Sequence, residues 1–169
     1  GCRERGLPYL TPRAASRVVR FTPADGSHTP IGDDLGEGGH KWVGGVLCDD
    51  GCIYALPHYG ASRARRIDPA KGTAAPFGDD VTGLGCDIGW YGTVAGPDGK
   101  LYGIPAESTA VLCFDPATGK ASAFGTLPKG GEQHSDGVLG SDGCIYAAPF
   151  HGGKRALRID PVARTATMI

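Results

Sequence analysis

The chain has 169 residues, a formal net charge of −1, and 29 Gly and 13 Pro against 40% hydrophobic and 21% charged residues. This is the composition of a compact folded chain, but so much Gly and Pro argues against long helices. No apolar run approaches the ~18 to 20 residues that span a bilayer, and near-neutral charge removes the usual electrostatic attraction to nucleic acid, so both classes are disfavoured.

The first residues, Gly1-Cys2-Arg3, show neither an initiator Met nor a charged-then-apolar leader, which reads as a segment of a longer polypeptide. Asn is absent, so no N-glycosylation sequon exists. Self-similarity then dominates. The stretch from Trp42 through Asp50-Gly51-Cys52-Ile53-Tyr54 to Pro57 returns from Trp90 through Asp98-Gly99-Lys100-Leu101-Tyr102 to Pro105. It returns again from His134 through Asp142-Gly143-Cys144-Ile145-Tyr146 to Pro149. A second marker, Ile67-Asp68-Pro69, matches Phe114-Asp115-Pro116, Ile159-Asp160-Pro161 and a degenerate Phe21-Thr22-Pro23. Thr22, Asp68, Asp115 and Asp160 stand 46, 47 and 45 residues apart.

Each period predicts four short strands. In the second period these are Val43 to Leu47, Cys52 to Leu56, Ala64 to Ile67 and Thr73 to Phe77, with Asp-Gly and Asp-Pro turns between the first and last pairs. Four strands in 40 to 50 residues is the spacing of an antiparallel β-propeller blade, so the fold class is all-β. The expected units are an incomplete blade over 1–36 and blades over 40–81, 89–127 and 132–169. Aligning Gly1-Cys2 with Gly51-Cys52 makes the first blade lack its first strand, which leaves a strand edge open.

These residues, Asp-Gly-x-[Ile/Leu]-Tyr-x-x-Pro followed by Ile-Asp-Pro-Ala-x-Gly, resemble the repeats of kelch-like, NHL-like and virginiamycin B lyase-like propellers. The resemblance covers nearly the whole chain and implies the fold. Propellers of this kind include enzymes, lectins and scaffolds, so it carries over no functional residue.

The loops that join strands two to three, and one blade to the next, share one face. They carry His40, His58, His134 and His151 with Tyr59, Asp33, Asp34, Glu37, Asp79, Asp80, Asp87, Glu107 and Glu132. Variable loops on a rigid scaffold are where binding sites concentrate. The binding candidates are His40, Trp42, His58, Tyr59, Trp90, Glu107, His134, Asp136 and His151. Trp42 and Trp90 share one repeat position, which His134 fills in the last blade. The two Trp read as packing between blades, with His134 a divergent filler at their position, or else His134, Asp136 and His40 surround the axial opening as a polar or divalent-metal site. The paired acids Asp33-Asp34 and Asp79-Asp80 read as turn caps, or as ligands for a metal or sugar hydroxyls. The basic cluster Arg63, Arg65 and Arg66, matched by Lys154, Arg155 and Arg158, reads as a solvated strand edge, or as a site for an anionic glycan or acidic protein surface.

Six Cys follow no zinc or redox spacing. Cys48 and Cys52 flank a turn within reach of a disulfide, whereas Cys2, Cys52 and Cys144 share one strand position and read equally as small buried residues. With no Ser-His-Asp order, phosphate loop or HExxH, the expected function is a non-catalytic binding or structural propeller module making protein or matrix contacts. The alternatives are a propeller lyase or hydrolase with His and carboxylates at the axis, or a carbohydrate-binding propeller. No cofactor is expected unless a divalent metal sits at the axis. The expected partner is protein, by pairing at the open edge or by self-assembly, with glycans second and an extracellular setting favoured.

Overall fold

A computed structural model describes residues 7–84, 86, 89–129 and 133–169. The sequence readings at Gly1-Cys2, Asp87 and Glu132 lie outside them. The strands form four antiparallel meanders. The first sheet is β1 (Tyr9–Leu10), β2 (Val18–Thr22) and β3 (Ser27–Ile31). The second is β4 (Val46–Leu47), β5 (Ile53–Ala55), β6 (Ala64–Asp68) and β7 (Thr73–Phe77). The third is β8 (Trp90–Ala95), β9 (Leu101–Pro105), β10 (Val111–Phe114) and β11 (Ala121–Phe124). The fourth is β12 (Gln133–Leu139), β13 (Ile145–Phe150), β14 (Leu157–Asp160) and β15 (Thr165–Met168). A 3-10 turn, Val81–Leu84, is the helical element among the described residues. None of their helices is long and apolar enough to cross a membrane. The architecture is a four-blade propeller arrangement whose first blade has three strands.

The Asp-Gly turns are built by their own side chains. Asp50, Asp98 and Asp142 each accept a backbone N–H two residues on, at 2.9, 3.2 and 3.1 Å. Their second oxygens accept from the phenols of Tyr54, Tyr102 and Tyr146 at 2.8, 2.9 and 2.8 Å. One carboxylate thus caps the turn and fixes the next strand's Tyr. That Tyr sets the register: Val46, Val94 and Val138 of the inner strands stand opposite Tyr54, Tyr102 and Tyr146.

The same logic corrects the frame of the first blade. Tyr9 pairs with Arg20 as Tyr54 pairs with Arg66 and Tyr146 with Arg158, so Tyr9 is the repeat Tyr. Gly6-Leu7-Pro8-Tyr9 therefore corresponds to Gly51-Cys52-Ile53-Tyr54, five residues later than an alignment on Gly1-Cys2. Pro12 falls on Pro57, and Leu7 rather than Cys2 takes the position of Cys52 and Cys144.

The core lies between blades. Tyr54 and Leu56 of the second blade pack with Trp90, Leu112 and Phe114 of the third. Ile104 and Val111 of the third pack with Ile145 and Leu157 of the fourth. The first interface is thinner, with Val18 and Ile31 against Ile67 and Ala74. A glycine ends each of the first three outer strands and closes these interfaces. Gly32, Gly78 and Gly125 have φ of 74°, 80° and 73°, and each abuts the outer strand or its turn in the next blade, at Ala74, Gly119 and Ala166. A Cβ at Gly125 would stand 2.8 Å from that of Ala166. Backbone contact this close leaves no room for a side chain, and a positive φ suits glycine.

Two sequence readings are corrected here. Arg65 is not on a solvated edge: it is fully buried, stacked 5.5 Å over the Trp42 ring, and donates to the Ala74 carbonyl at 2.8 Å. Cys48 and Cys52 are both free thiols. Cys48 N–H donates to the Cys52 carbonyl at 2.9 Å, while the Cys52 N–H is taken by the Asp50 carboxylate, also at 2.9 Å. The Cys52 sulfur instead accepts from the Arg66 guanidinium at 2.9 Å.

Candidate functional site at the axial mouth

Each second strand runs into a Pro of the repeat, and the residues after it turn over the mouth of the axis. These are Arg13 after Pro12, His58-Tyr59 after Pro57, Ala106-Glu107 after Pro105, and Phe150-His151 after Pro149. They form a belt of rings across the blades. His58 lies 4.3 Å from Tyr59 and 5.5 Å, edge-on, from Tyr91. Tyr91 lies 5.8 Å from Phe150, which meets His151 at 4.1 Å. His40 stacks on His58 at 6.3 Å, and the Arg13 guanidinium sits 5.7 Å over Tyr91. Tyr59 and Phe150 expose 44% and 37% of their surfaces, so ring area is open to a ligand.

The loop bearing His40 is pinned from inside. The Lys41 side chain is buried, and its ammonium donates to the Gly36 and Gly38 carbonyls. Its main-chain carbonyl accepts the His58 N–H at 2.9 Å. His40 and His151 adopt φ of 45° and 42°, in the left-handed region that non-Gly residues enter rarely.

Electrostatics sort the belt. Burial first, then the nearby His40 and Arg13 charges, lower the His58 pKa, so the ring is neutral at neutral pH. Its buried Nδ1 has no hydrogen-bond partner among the described residues. Burial first, then the hydrogen bond to Glu107, push the Tyr59 phenol well above its ordinary value, so it stays protonated and donates to that carboxylate.

Below the belt, the inner strands line a cavity of 180 Å³ bounded by Val43, Gly44, Gly45, Tyr91, Gly92, Thr93 and Asp136. Gly44, Gly92 and Asp136 occupy one repeat position, with φ of 72°, 94° and 45°. Asp tolerates this region better than most residues, and Asp136 offers the cavity wall a carboxylate. Its Oδ1 accepts the Gly137 N–H at 2.8 Å.

The other predicted site residues lie elsewhere. Trp42 and Trp90 are buried, and their indoles donate to the carbonyls of Arg63 and Ala110 at 3.0 and 2.9 Å. The His134 ring is also buried, with Nε2 3.1 Å from the Arg155 carbonyl. His134 thus occupies the Trp position with the same type of partner, and none of the three rings presents a face to a sugar or to the axis. Asp34 caps the Gly36 N–H at 3.0 Å and faces Arg17 at 3.7 Å, while Asp33 stands near enough to Arg65 to favour its charge. Asp79 ties two blades, accepting from Ala121 N–H at 3.2 Å and from Lys120 at 3.3 Å. Asp80 accepts from the Thr82 hydroxyl and amide and from Ser62, and these bonds lower its carboxyl pKa to about 2. The paired acids therefore serve the loops behind the outer strands. Among the described residues no three His, Cys, Asp or Glu side chains converge as a metal site. Arg13, Tyr91 and Phe150 belong to the belt although their side-chain types drew no attention; their signal was position, directly after the repeat Pro or the repeat Trp.

Comparison with solved structures finds the same fold in virginiamycin B lyase-like propellers. A streptogramin B lyase matches at TM-score 0.73 and 16% identity, over 98% of this chain and 51% of that one. Virginiamycin B lyase from Staphylococcus aureus matches at TM-score 0.74 and 18% identity, over 100% of this chain and 53% of that one. An extracellular domain from B. thetaiotaomicron, assigned to a one-component system, matches at TM-score 0.68 and 11% identity, over 99% of this chain and 21% of that one. At such identities the likeness is one of fold. The chain spans about half the length of the lyases it matches. No protein-family model and no curated protein matches it.

Proposed function

We propose that the chain is a non-catalytic binding module of propeller type, taking a protein segment rich in aromatic side chains at the axial mouth. The observation that carries this reading is the continuous belt of Arg13, His40, His58, Tyr59, Tyr91, Phe150 and His151, drawn from loops and strands of several blades and partly open to solvent. Aromatic rings meet such a belt edge to face, and the Arg13 guanidinium adds a cation–π partner. The exposed faces of Tyr59 and Phe150 supply the area a ligand would cover. Titration with tryptophan- and tyrosine-containing peptides, followed by NMR shifts of the Tyr91 and His58 rings, tests it. Saturable binding that Tyr91→Ala weakens at least tenfold is expected; shifts that are absent, or indifferent to Tyr91→Ala, refute it.

One observation favours a second reading, an enzyme. Tyr59 donates to Glu107 beside the neutral His58, an arrangement that can move a proton. One neighbour, a catalytically inactive virginiamycin B lyase, was solved with quinupristin. Incubation of this chain with quinupristin, followed by chromatography and mass spectrometry, separates the readings. Time-dependent conversion lost in Glu107→Gln favours the enzyme; an unchanged compound favours the binding module.

A further inference from the structure

Where the inner strands meet, the axis carries a carboxylate without a cationic partner. β12, β8 and β4 touch where Asp136 meets Gly92 and Gly92 meets Gly44. These three residues share one repeat position, and all three have positive φ. Two blades place Gly there, as that backbone conformation favours, whereas the last blade places Asp136 at φ 45°. A non-Gly residue held in this region is a reason to look for a task its side chain performs. The Asp136 Oδ1 accepts the Gly137 N–H at 2.8 Å and lies 3.0 Å from the point a Cβ on Gly92 would occupy. The glycine of one blade thus leaves room for the carboxylate of the next. Among the described residues that carboxylate makes no ion pair.

The cavity that Asp136 lines measures 180 Å³, far more than the roughly 10 to 15 Å³ that one water needs. Tyr91 belongs both to its wall and to the aromatic belt, so the two spaces join, and Asp136, Gly44 and Gly45 are exposed to a ligand entering from the mouth. An aromatic and aliphatic wall with a carboxylate matches a side chain that has an apolar stem and a cationic head. We propose that the axial cavity takes a Lys side chain of the bound segment, with its ammonium on Asp136 and its methylenes along Tyr91 and Val43. This rests on the aromatic-belt reading and adds what the ligand carries besides rings. Because Oδ1 already accepts from Gly137, Oδ2 is the freer oxygen, and a single acceptor suits a compact ammonium better than the two-pronged fork of a guanidinium. The charged groups of the belt lie outside the cavity wall: Arg13 sits over Tyr91 at the mouth, and Glu107 takes the Tyr59 hydroxyl.

The test titrates the whole chain with three peptides blocked at both ends, Gly-Tyr-Lys-Trp-Gly and its twins carrying acetyl-lysine or Arg in place of Lys, and follows calorimetry and backbone NMR. The Lys peptide should bind about tenfold more tightly than the acetyl-lysine peptide, with Lys-dependent shifts at Gly44, Gly92, Asp136 and Gly137, and more tightly than the Arg peptide. Asp136→Gly, which restores the residue of the other two blades and relieves the left-handed backbone, should fold and lose the preference for Lys. Asp136→Asn, which keeps the shape and removes the charge, should lose it too. Tyr91→Ala should weaken all three peptides. Equal binding of the Lys and acetyl-lysine peptides, a preference that survives Asp136→Gly or Asp136→Asn, or tighter binding of the Arg peptide would overturn the proposal. In each of those cases a loss of affinity in Tyr91→Ala would leave the aromatic-belt reading standing, whereas binding of none of the peptides at ~1 mM would overturn both.

Discussion

Replacing Arg65 by Leu should leave the protein as stable as before, or more so. Arg65 is fully buried, and among the described residues its Nε and Nη1 have no hydrogen-bond partner. Burial lowers its pKa, with Asp33 as the opposing influence. Its charged head gains one hydrogen bond to the Ala74 carbonyl, worth about 1.5 to 3 kcal/mol, and a cation–π contact with Trp42, worth roughly 0.5 to 2 kcal/mol. Against these stands the cost of taking a guanidinium out of water, several kcal/mol per ion even after relaxation. The two sides nearly cancel. The equivalent residues Leu112 and Leu157 are themselves fully buried, so the site suits a branched apolar side chain. We expect Arg65→Leu to fall between no change and about 2 kcal/mol of added stability, a rise of roughly 0 to 8 °C for a domain of this size. Arg65→Ala should fall about 2 kcal/mol or more below the Leu variant, because it leaves a cavity. Urea unfolding followed by Trp fluorescence measures both. A loss above about 2 kcal/mol in Arg65→Leu would refute the reasoning, since it would mean that the buried charge is held by pairing stronger than its desolvation.

Strain and contact can be separated at two left-handed glycines: Gly26→Ala, in the turn before β3 with φ 72° and open space around it, should cost about 1 kcal/mol, whereas Gly125→Ala meets Ala166 as well and should cost roughly 2 to 4 kcal/mol in urea unfolding. Because His58 binds its proton more weakly in the folded than in the unfolded chain, the stability it confers is present above the unfolded His pKa of ~6.5 and is lost as pH falls toward its lower folded pKa. His58→Phe, which copies Phe150, should flatten the fall in unfolding midpoint between pH 7 and 5, and an unflattened profile would reassign that pH dependence to other groups.

The period, the turns and the strand order could be read from sequence because each rests on local chemistry. Asp-Gly needs only its own amide and the following Tyr, and both lie within five residues. The frame of the first blade misled because a Gly-Cys pair was taken as the marker, when the structural determinant is the Tyr that meets the turn Asp and faces the inner-strand Val. Arg65 misled for a different reason: charge and alternation predict exposure, but the Trp42 ring that covers it comes from the segment ahead of β4, bridged to Pro57, whose approach no local pattern records. At the mouth, His58, Tyr59 and His151 stood out by chemistry, whereas Arg13, Tyr91 and Phe150 become visible only when the blades are superposed on the repeat Pro and Trp. The Trp position tells the converse story. His134 drew attention as a metal ligand through its chemistry, yet its place in the repeat gives it the carbonyl partner of an indole.

The glycine that ends each of the first three outer strands also bears on how such a chain could change length over evolutionary time. Each interface includes the same close approach of a glycine to the outer strand or its turn in the next blade, at Gly32, Gly78 and Gly125. A duplicated unit would carry its own half of that joint and find the other half waiting. Lengthening the array would then require no new interface to be invented, only the old one copied, while the glycine itself would be the residue least free to drift.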